Sequence, residues 1–169
     1  AVGTAGQRCT TTRRLLLHRP VAAEMTKRLV AAYGQVPIGN PLERGTLIGP
    51  LVDSDAVGTM MRTLQEIKRQ GGEILCGGER IRALGSDCYV QPALVKAPAD
   101  LPLLREETFA PILYLVEGET VDQLIALNND VPQGLSSAMF TESLRNAERF
   151  LSAAGSDCGI ANINIGTSG

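Results

Sequence analysis

Short apolar runs alternate with amphipathic stretches along all 169 residues, and this alternation most constrains the fold. Runs such as Arg14–His18 (RLLLH) and Ile112–Val116 (ILYLV) predict buried strands. Between such runs, apolar residues recur at helical spacing, for example from Val21 to Tyr33. The repeated strand–helix–strand order predicts an α/β domain with a twisted, largely parallel sheet covered by helices.

Local signals indicate where each element begins and ends. Asp53 or Ser54, Thr120 and Ser143 are suitable helix caps, and Pro92 predicts that part of one strand lies at a sheet edge. The predicted strands are 14–18, 73–76, 89–95, 112–116, 135–140 and 160–165, and the predicted helices are 21–33, 54–70, 121–129 and 143–153. The predicted buried faces include Met25, Leu29, Val30 and Tyr33 in the first helix, and Leu144, Ala147, Phe150 and Leu151 in the last.

The charge balance argues against two kinds of partner. Sixteen basic and 18 acidic residues give a formal net charge of −2, whereas nucleic-acid and anionic-membrane surfaces need clustered basic charge. The densest basic spot, Arg13–Arg14, is interpreted as the flank of a strand. No apolar run approaches the roughly 20 residues that cross a bilayer, and the first residues do not resemble a signal peptide.

The cysteines predict free thiols. There are four of them, at positions 9, 76, 88 and 158, with no CxxC pair, and His18 is the single histidine. This spacing predicts neither a zinc site nor a disulfide framework, so we expect no metal and a cytoplasmic location.

Cys9 is the candidate nucleophile. It lies between small and polar residues, beside Arg8, whose cation would favour the reactive thiolate. The alternative from the residues alone is that Cys9 is a small buried apolar side chain. His18 could serve Cys9 as a base in a cysteine hydrolase, although the intervening strand would carry it away.

A second candidate segment is Arg105–Pro111, where paired carboxylates precede Phe-Ala-Pro and a buried strand. It could be a loop of a functional site at a strand end. The other interpretation is an exposed acidic turn in which Phe109 plugs the edge of the core. No glycine-rich phosphate-binding loop accompanies it.

Four motifs in order resemble the aldehyde dehydrogenase superfamily, over essentially the whole chain. The antiquitin group of that superfamily, the α-aminoadipic semialdehyde (piperideine-6-carboxylate) dehydrogenases, is the most similar. The motifs are Gly6-Gln7-Arg8-Cys9, Gly39-Asn40-Pro41 with Gly49-Pro50, Glu107-Thr108-Phe109-Ala110-Pro111 with Ala110 for the usual glycine, and Ile160–Asn164.

The resemblance implies a mechanism with NAD or NADP as cofactor. The Cys9 thiolate attacks the aldehyde, hydride leaves to the nicotinamide, and water hydrolyses the thioester. Glu107 matches the residue that holds the nicotinamide ribose, and Phe109 matches one that packs near the nicotinamide. The family's oxyanion asparagine and base glutamate lie upstream of Ala1, so we expect a single catalytic domain, residues 1–169, without turnover in isolation.

The resemblance also implies a substrate and an assembly. Arg8, Thr167, Ser168 and Gly169 match positions that hold the amino acid end of α-aminoadipic semialdehyde, and the whole enzyme would be a homo-oligomer. Two alternatives stay open. One is an aldehyde dehydrogenase for another aldehyde, and the other is a thiol hydrolase or inactive fragment.

Overall fold

The computed structural model describes residues 1–82 and 84–168. Within these two ranges, no helix is long and apolar enough to cross a membrane. The elements in chain order are β1 (Arg14–His18), α1 (Arg19–Tyr33), α2 (Ser54–Arg69), β2 (Glu73–Cys76), β3 (Ala93–Lys96), a short 3-10 helix (Pro102–Arg105), β4 (Ile112–Gly118), α3 (Val121–Asn129), β5 (Ser136–Met139), α4 (Leu144–Leu151) and β6 (Ile160–Ile163).

The predicted α/β class with a largely parallel sheet covered by helices is confirmed, and the strands divide between two sheets. The larger sheet has the order β1-β4-β3-β2, in which β4 is parallel to both β1 and β3. Strand β2 is antiparallel to β3, because a loop rather than a crossover helix joins them. Strands β5 and β6 form a separate parallel pair joined through α4.

The larger sheet is covered on both faces, which explains the continuous apolar run of β4. Ile112, Tyr114 and Val116 of β4 belong to the same buried cluster as the apolar face of α2. Leu113 and Leu115 belong to a second cluster, against which residues of α1 pack. A strand buried on both faces is typical of parallel sheets between layers of helices.

Two helices bury less than their sequence pattern predicts. Met25 of α1 is exposed, and α1 begins at Arg19 because Pro20 suits the first helical turn. In α4, Leu144 is 76% exposed and Leu151 is also exposed, whereas Phe150 is 3% exposed. Helix α4 packs mainly against β6 of the two-stranded sheet, which is too small to cover a wider apolar face.

Several strand boundaries differ from the prediction, and local residues explain two of them. Strand β3 begins after Pro92, which has no N–H to donate to a ladder, and it lies between β4 and β2 rather than at an edge. Strand β4 extends two residues further than predicted, to Gly118. Strand β6 ends before Asn164, whose φ of 59° is incompatible with extended backbone.

Candidate active site

Cys9 lies in the loop that precedes β1, and its side chain is exposed. The loop closes on itself, because Thr11 N–H donates to Arg8 O over 3.0 Å and Arg8 N–H donates to Thr11 Oγ1 over 3.2 Å. Within residues 1–82 and 84–168, no acceptor takes a hydrogen bond from the Cys9 N–H. The loop therefore leaves both a thiol and a backbone donor available to a ligand.

A close backbone contact joins this loop to the Glu107–Pro111 segment. Gly6 has a φ of +73°, and a Cβ at this position would lie 2.2 Å from both the carbonyl carbon and the oxygen of Ala110. Only glycine can occupy a position with this φ and this separation. The contact explains why the Gly6–Cys9 motif and the Glu107–Pro111 motif belong to one structural unit.

Gln7 joins the same loop to the Gly49-Pro50 segment. Its Oε1 accepts a hydrogen bond from Val52 N–H over 2.8 Å, and its Nε2 donates to Pro50 O over 3.4 Å. Three segments that are far apart in sequence therefore meet around residues 6–9.

The loop that carries Cys9, residues 6–12, is called the cysteine loop. Arg13 connects it to Glu107 and Phe109. Its Nη1 donates to Gly6 O over 2.6 Å, and its Nη2 lies 3.1 Å from both Arg8 O and Glu107 Oε1. Its guanidinium carbon lies 5.0 Å from the centre of the Phe109 ring, within the range of a cation–π contact. The sequence indicated only a strand flank here, because these partners are distant in sequence.

Glu107 and Phe109 are both accessible to a ligand. The Glu107 side chain is 45% exposed, and the 3.1 Å ion pair to Arg13 engages its Oε1. Phe109 is 42% exposed, so the expectation that it plugs the core edge is wrong. Its φ of 54° is strained for a non-glycine residue, which is typical of backbone that surrounding contacts hold in place at functional sites.

The segment 167–168 docks beside the cysteine loop. Thr167 Oγ1 donates to Thr10 O over 2.7 Å and lies 3.0 Å from Thr12 Oγ1, so the Thr12 hydroxyl donates to it. Ser168 Oγ lies 3.2 Å from Thr10 Oγ1. Arg8 is exposed on the same loop, whereas Gly169 lies outside the described residues. Residues from both ends of the chain therefore border Cys9.

The structure does not bring His18 to Cys9. His18 lies at the far end of β1, where its Nε2 is 2.8 Å from Glu119 O. In the described part of the chain, no group of three or more His, Cys, Asp or Glu residues could hold a metal ion. The site therefore offers a thiol without an adjacent imidazole.

The other three cysteines are half-buried. Cys88 and Cys76 pack against the two core clusters, and burial raises the pKa of the Cys76 thiol. A raised pKa lowers the thiolate fraction and hence the reactivity of Cys76. Cys9 is thus the exposed thiol among the four.

Comparisons with known proteins agree with one another. The model of the aldehyde dehydrogenase family matches residues 1–169. Aldehyde dehydrogenase family 7 member B4 of Arabidopsis thaliana is 47% identical over 169 residues, which are 100% of this chain and 33% of that protein. Alpha-aminoadipic semialdehyde dehydrogenase of Mus musculus is 47% identical over 170 residues, covering 100% of this chain and 31% of that protein. The chain thus spans about a third of the length of these relatives.

A solved structure shares the fold. PnpE from Pseudomonas sp. WBC-3, also solved in complex with nicotinamide adenine dinucleotide, superposes with a TM-score of 0.90 at 28% identity. The match covers 96% of this chain and 33% of that one.

The close contact between Gly6 and Ala110 predicts that a side chain at position 6 destabilises the protein. Gly6→Ala should lower the free energy of unfolding by more than about 2 kcal/mol, because left-handed backbone costs an L-residue about 1–2 kcal/mol and the new Cβ would also overlap Ala110. Gly3→Ala is the matched control, since no heavy atom lies within 4 Å of its Cβ position. Urea denaturation measures both variants, and equal stability of the two would contradict the contact.

Exposure and pKa together predict the order of thiol alkylation. Cys9 should react first with iodoacetamide near neutral pH, because it is exposed while the other three thiols are half-buried. Cys76 should react more slowly and gain reactivity only at higher pH, because its pKa is raised. Peptide mass spectrometry across a pH series gives the four rates. A rate for Cys88 or Cys158 equal to that of Cys9 would contradict the order.

Proposed function

The chain belongs to the aldehyde dehydrogenase family, and from this premise we propose that it is the cysteine-bearing catalytic domain of an enzyme that oxidises an aldehyde to a carboxylate. The proposed hydride acceptor is NAD, with NADP as the alternative. One observation carries the proposal. The loop of the exposed Cys9 is bonded through Arg13 to Glu107, beside the exposed ring of Phe109.

Cys9 performs the covalent chemistry. Its thiolate forms a carbon–sulfur bond to the aldehyde carbon, and the carbonyl electron pair moves to oxygen, where the Cys9 N–H donates a hydrogen bond to the oxyanion. A nicotinamide held by Glu107 and Phe109 would supply the hydride acceptor for that carbon. The thioester left on Cys9 is cleaved by water, which releases the carboxylate and restores the thiolate.

Glu107 and Phe109 fit the proposed cofactor. A carboxylate accepts hydrogen bonds at both oxygens, and the ion pair to Arg13 engages Oε1, so Oε2 suits the ribose hydroxyls. The exposed aromatic ring of Phe109 suits the flat nicotinamide. The similar PnpE was solved with this dinucleotide, which supports NAD as the cofactor.

The proposed substrate is α-aminoadipic semialdehyde. Arg8 is exposed one residue before Cys9, and a guanidinium binds a carboxylate through paired donors in a rigid fork. Thr167 and Ser168 lie against Thr10 and add hydroxyl groups, and Gly169 is proposed to complete this contact with the amino acid end. The name of the mouse relative supports this substrate, and with it a place in lysine catabolism.

Two wider proposals concern where the enzyme works and how it assembles. A cytoplasmic location is supported by the four free cysteines. A homo-oligomer, dimer or tetramer, is supported by large apolar side chains that are exposed on and around the two-stranded sheet. They are Leu135, Phe140, Leu144, Ile160 and Ile165.

The activity test uses the full-length gene product. It should reduce NAD with α-aminoadipic semialdehyde, and Cys9→Ala should lower kcat by about a thousand-fold or more because the nucleophile is lost. Cys76→Ala is the matched control and should stay within about two-fold, since Cys76 lies in β2 at the edge of the larger sheet and packs against the second core cluster.

The variant Arg8→Gln tests the proposed substrate separately from the proposed reaction. It should raise the KM for the semialdehyde about ten-fold while leaving the KM for hexanal, which has no carboxylate, unchanged. Absence of NAD reduction by the wild type with either aldehyde would contradict the proposed reaction. Equal effects of Arg8→Gln on both aldehydes would contradict only the proposed substrate.

A further inference from the structure

The Arg13 guanidinium contacts four groups from the two loops of the candidate site. On the cysteine loop it donates to Gly6 O and Arg8 O, the two carbonyls that lie on either side of Gln7. On the other loop it pairs with Glu107 and lies beside the ring of Phe109. Cys9 follows Arg8 directly, so a shift of Arg13 is transmitted to the thiol through one peptide unit.

This set of contacts requires arginine. A guanidinium presents five donors in a fixed plane, whereas a lysine ammonium is a single point from which three donors rotate. Arg13 directs Nη1 to one carbonyl and Nη2 to a second carbonyl and a carboxylate. One nitrogen cannot reach the same three acceptors in the same directions. The geometry therefore depends on the fork and not only on the charge.

The burial of Arg13 indicates that its side chain does more than form an ion pair with Glu107. The side chain is only 22% exposed, and its Nε is buried without a hydrogen-bond partner among the described residues. An unpartnered buried donor is unfavourable, and each such group in a native structure calls for an explanation. Here the hydrogen bonds of the two Nη atoms and the contact with the Phe109 ring fix the position of the guanidinium. In that position, Nε has no acceptor within reach among the described residues.

We propose that Arg13 is a positioning residue that holds the Cys9 loop and the Glu107 carboxylate in one arrangement, and thereby couples cofactor binding at Glu107 to the reactivity of Cys9. For the role of Glu107, the inference rests on the proposed function. A ligand that binds Oε2 of Glu107 shifts the carboxylate that Arg13 holds through Oε1, and hence changes the restraint on Arg8 O. Linkage makes such a coupling reciprocal for binding.

The test uses the full-length gene product with Arg13→Gln, Arg13→Lys and a control. The control is Arg28→Gln, which removes an exposed arginine that pairs with Glu24 within helix α1. Three quantities are measured for each protein. They are kcat, the KM for NAD, and the rate of Cys9 alkylation with and without NAD.

Arg13→Gln should raise the KM for NAD and lower kcat, each by about ten-fold or more, since small misplacements of reacting groups cost up to about 100-fold. In the wild type, saturating NAD should change the Cys9 alkylation rate at least about three-fold, and Arg13→Gln should remove that change. Arg13→Lys should keep part of the NAD affinity through its charge but lose the effect of NAD on Cys9. Arg28→Gln should match the wild type throughout.

The inference is overturned if Arg13→Gln matches Arg28→Gln in all three measurements, or if NAD leaves Cys9 alkylation unchanged in the wild type. If Arg13→Gln does not fold, Arg13→Lys decides by the same measurements. A double variant, Arg13→Gln with Glu107→Gln, should have a smaller effect on the KM for NAD than the two single effects combined. A wild type that modulates Cys9 with NAD but oxidises no aldehyde would overturn the proposed function and leave the coupling intact.

Discussion

The candidate site depends on the close approach of two backbones, that of Gly6 and that of Ala110. Because no side chain separates them, the segment that carries Cys9 and the segment that carries Glu107 and Phe109 behave as one packed unit. The positive φ values of Gly6 and Phe109 both lie at this contact, so the backbone is held in uncommon conformations on both sides. The surrounding structure has to supply the stability that maintains them.

The larger sheet supplies that support. Strands β1 and β4 are parallel neighbours, with Arg14 paired to Tyr114, so the loops that precede them lie at the same end of the sheet. Ligands of open α/β sheets commonly bind at the carboxyl ends of the strands, whereas this site lies at the amino ends. The ion pair of Arg13 and Glu107 is partly exposed and contributes at most about 1 kcal/mol, so its importance is geometric rather than energetic.

Much of the fold could be predicted from the sequence, because its signals are local. The bounds of β1 and β2, and the caps at Asp53, Thr120 and Ser143, follow from residues within a turn of each element. The exposure of Met25 and Leu144 could not be predicted, since it depends on which element lies opposite. For the site, motif resemblance selected Cys9, Glu107 and Thr167, but the contact of Arg13 with Glu107 spans 94 positions and has no local signal.

The most direct measurement of the central claim is acid quenching of a single turnover, followed by peptide mass spectrometry. The full-length gene product is mixed with NAD and α-aminoadipic semialdehyde and quenched while the thioester is present. We predict an acyl adduct on the peptide that contains Cys9, in step with the first equivalent of NADH. NADH formed with no adduct on Cys9 at any quench time, or an adduct on Cys76, Cys88 or Cys158 instead, would contradict Cys9 as the nucleophile.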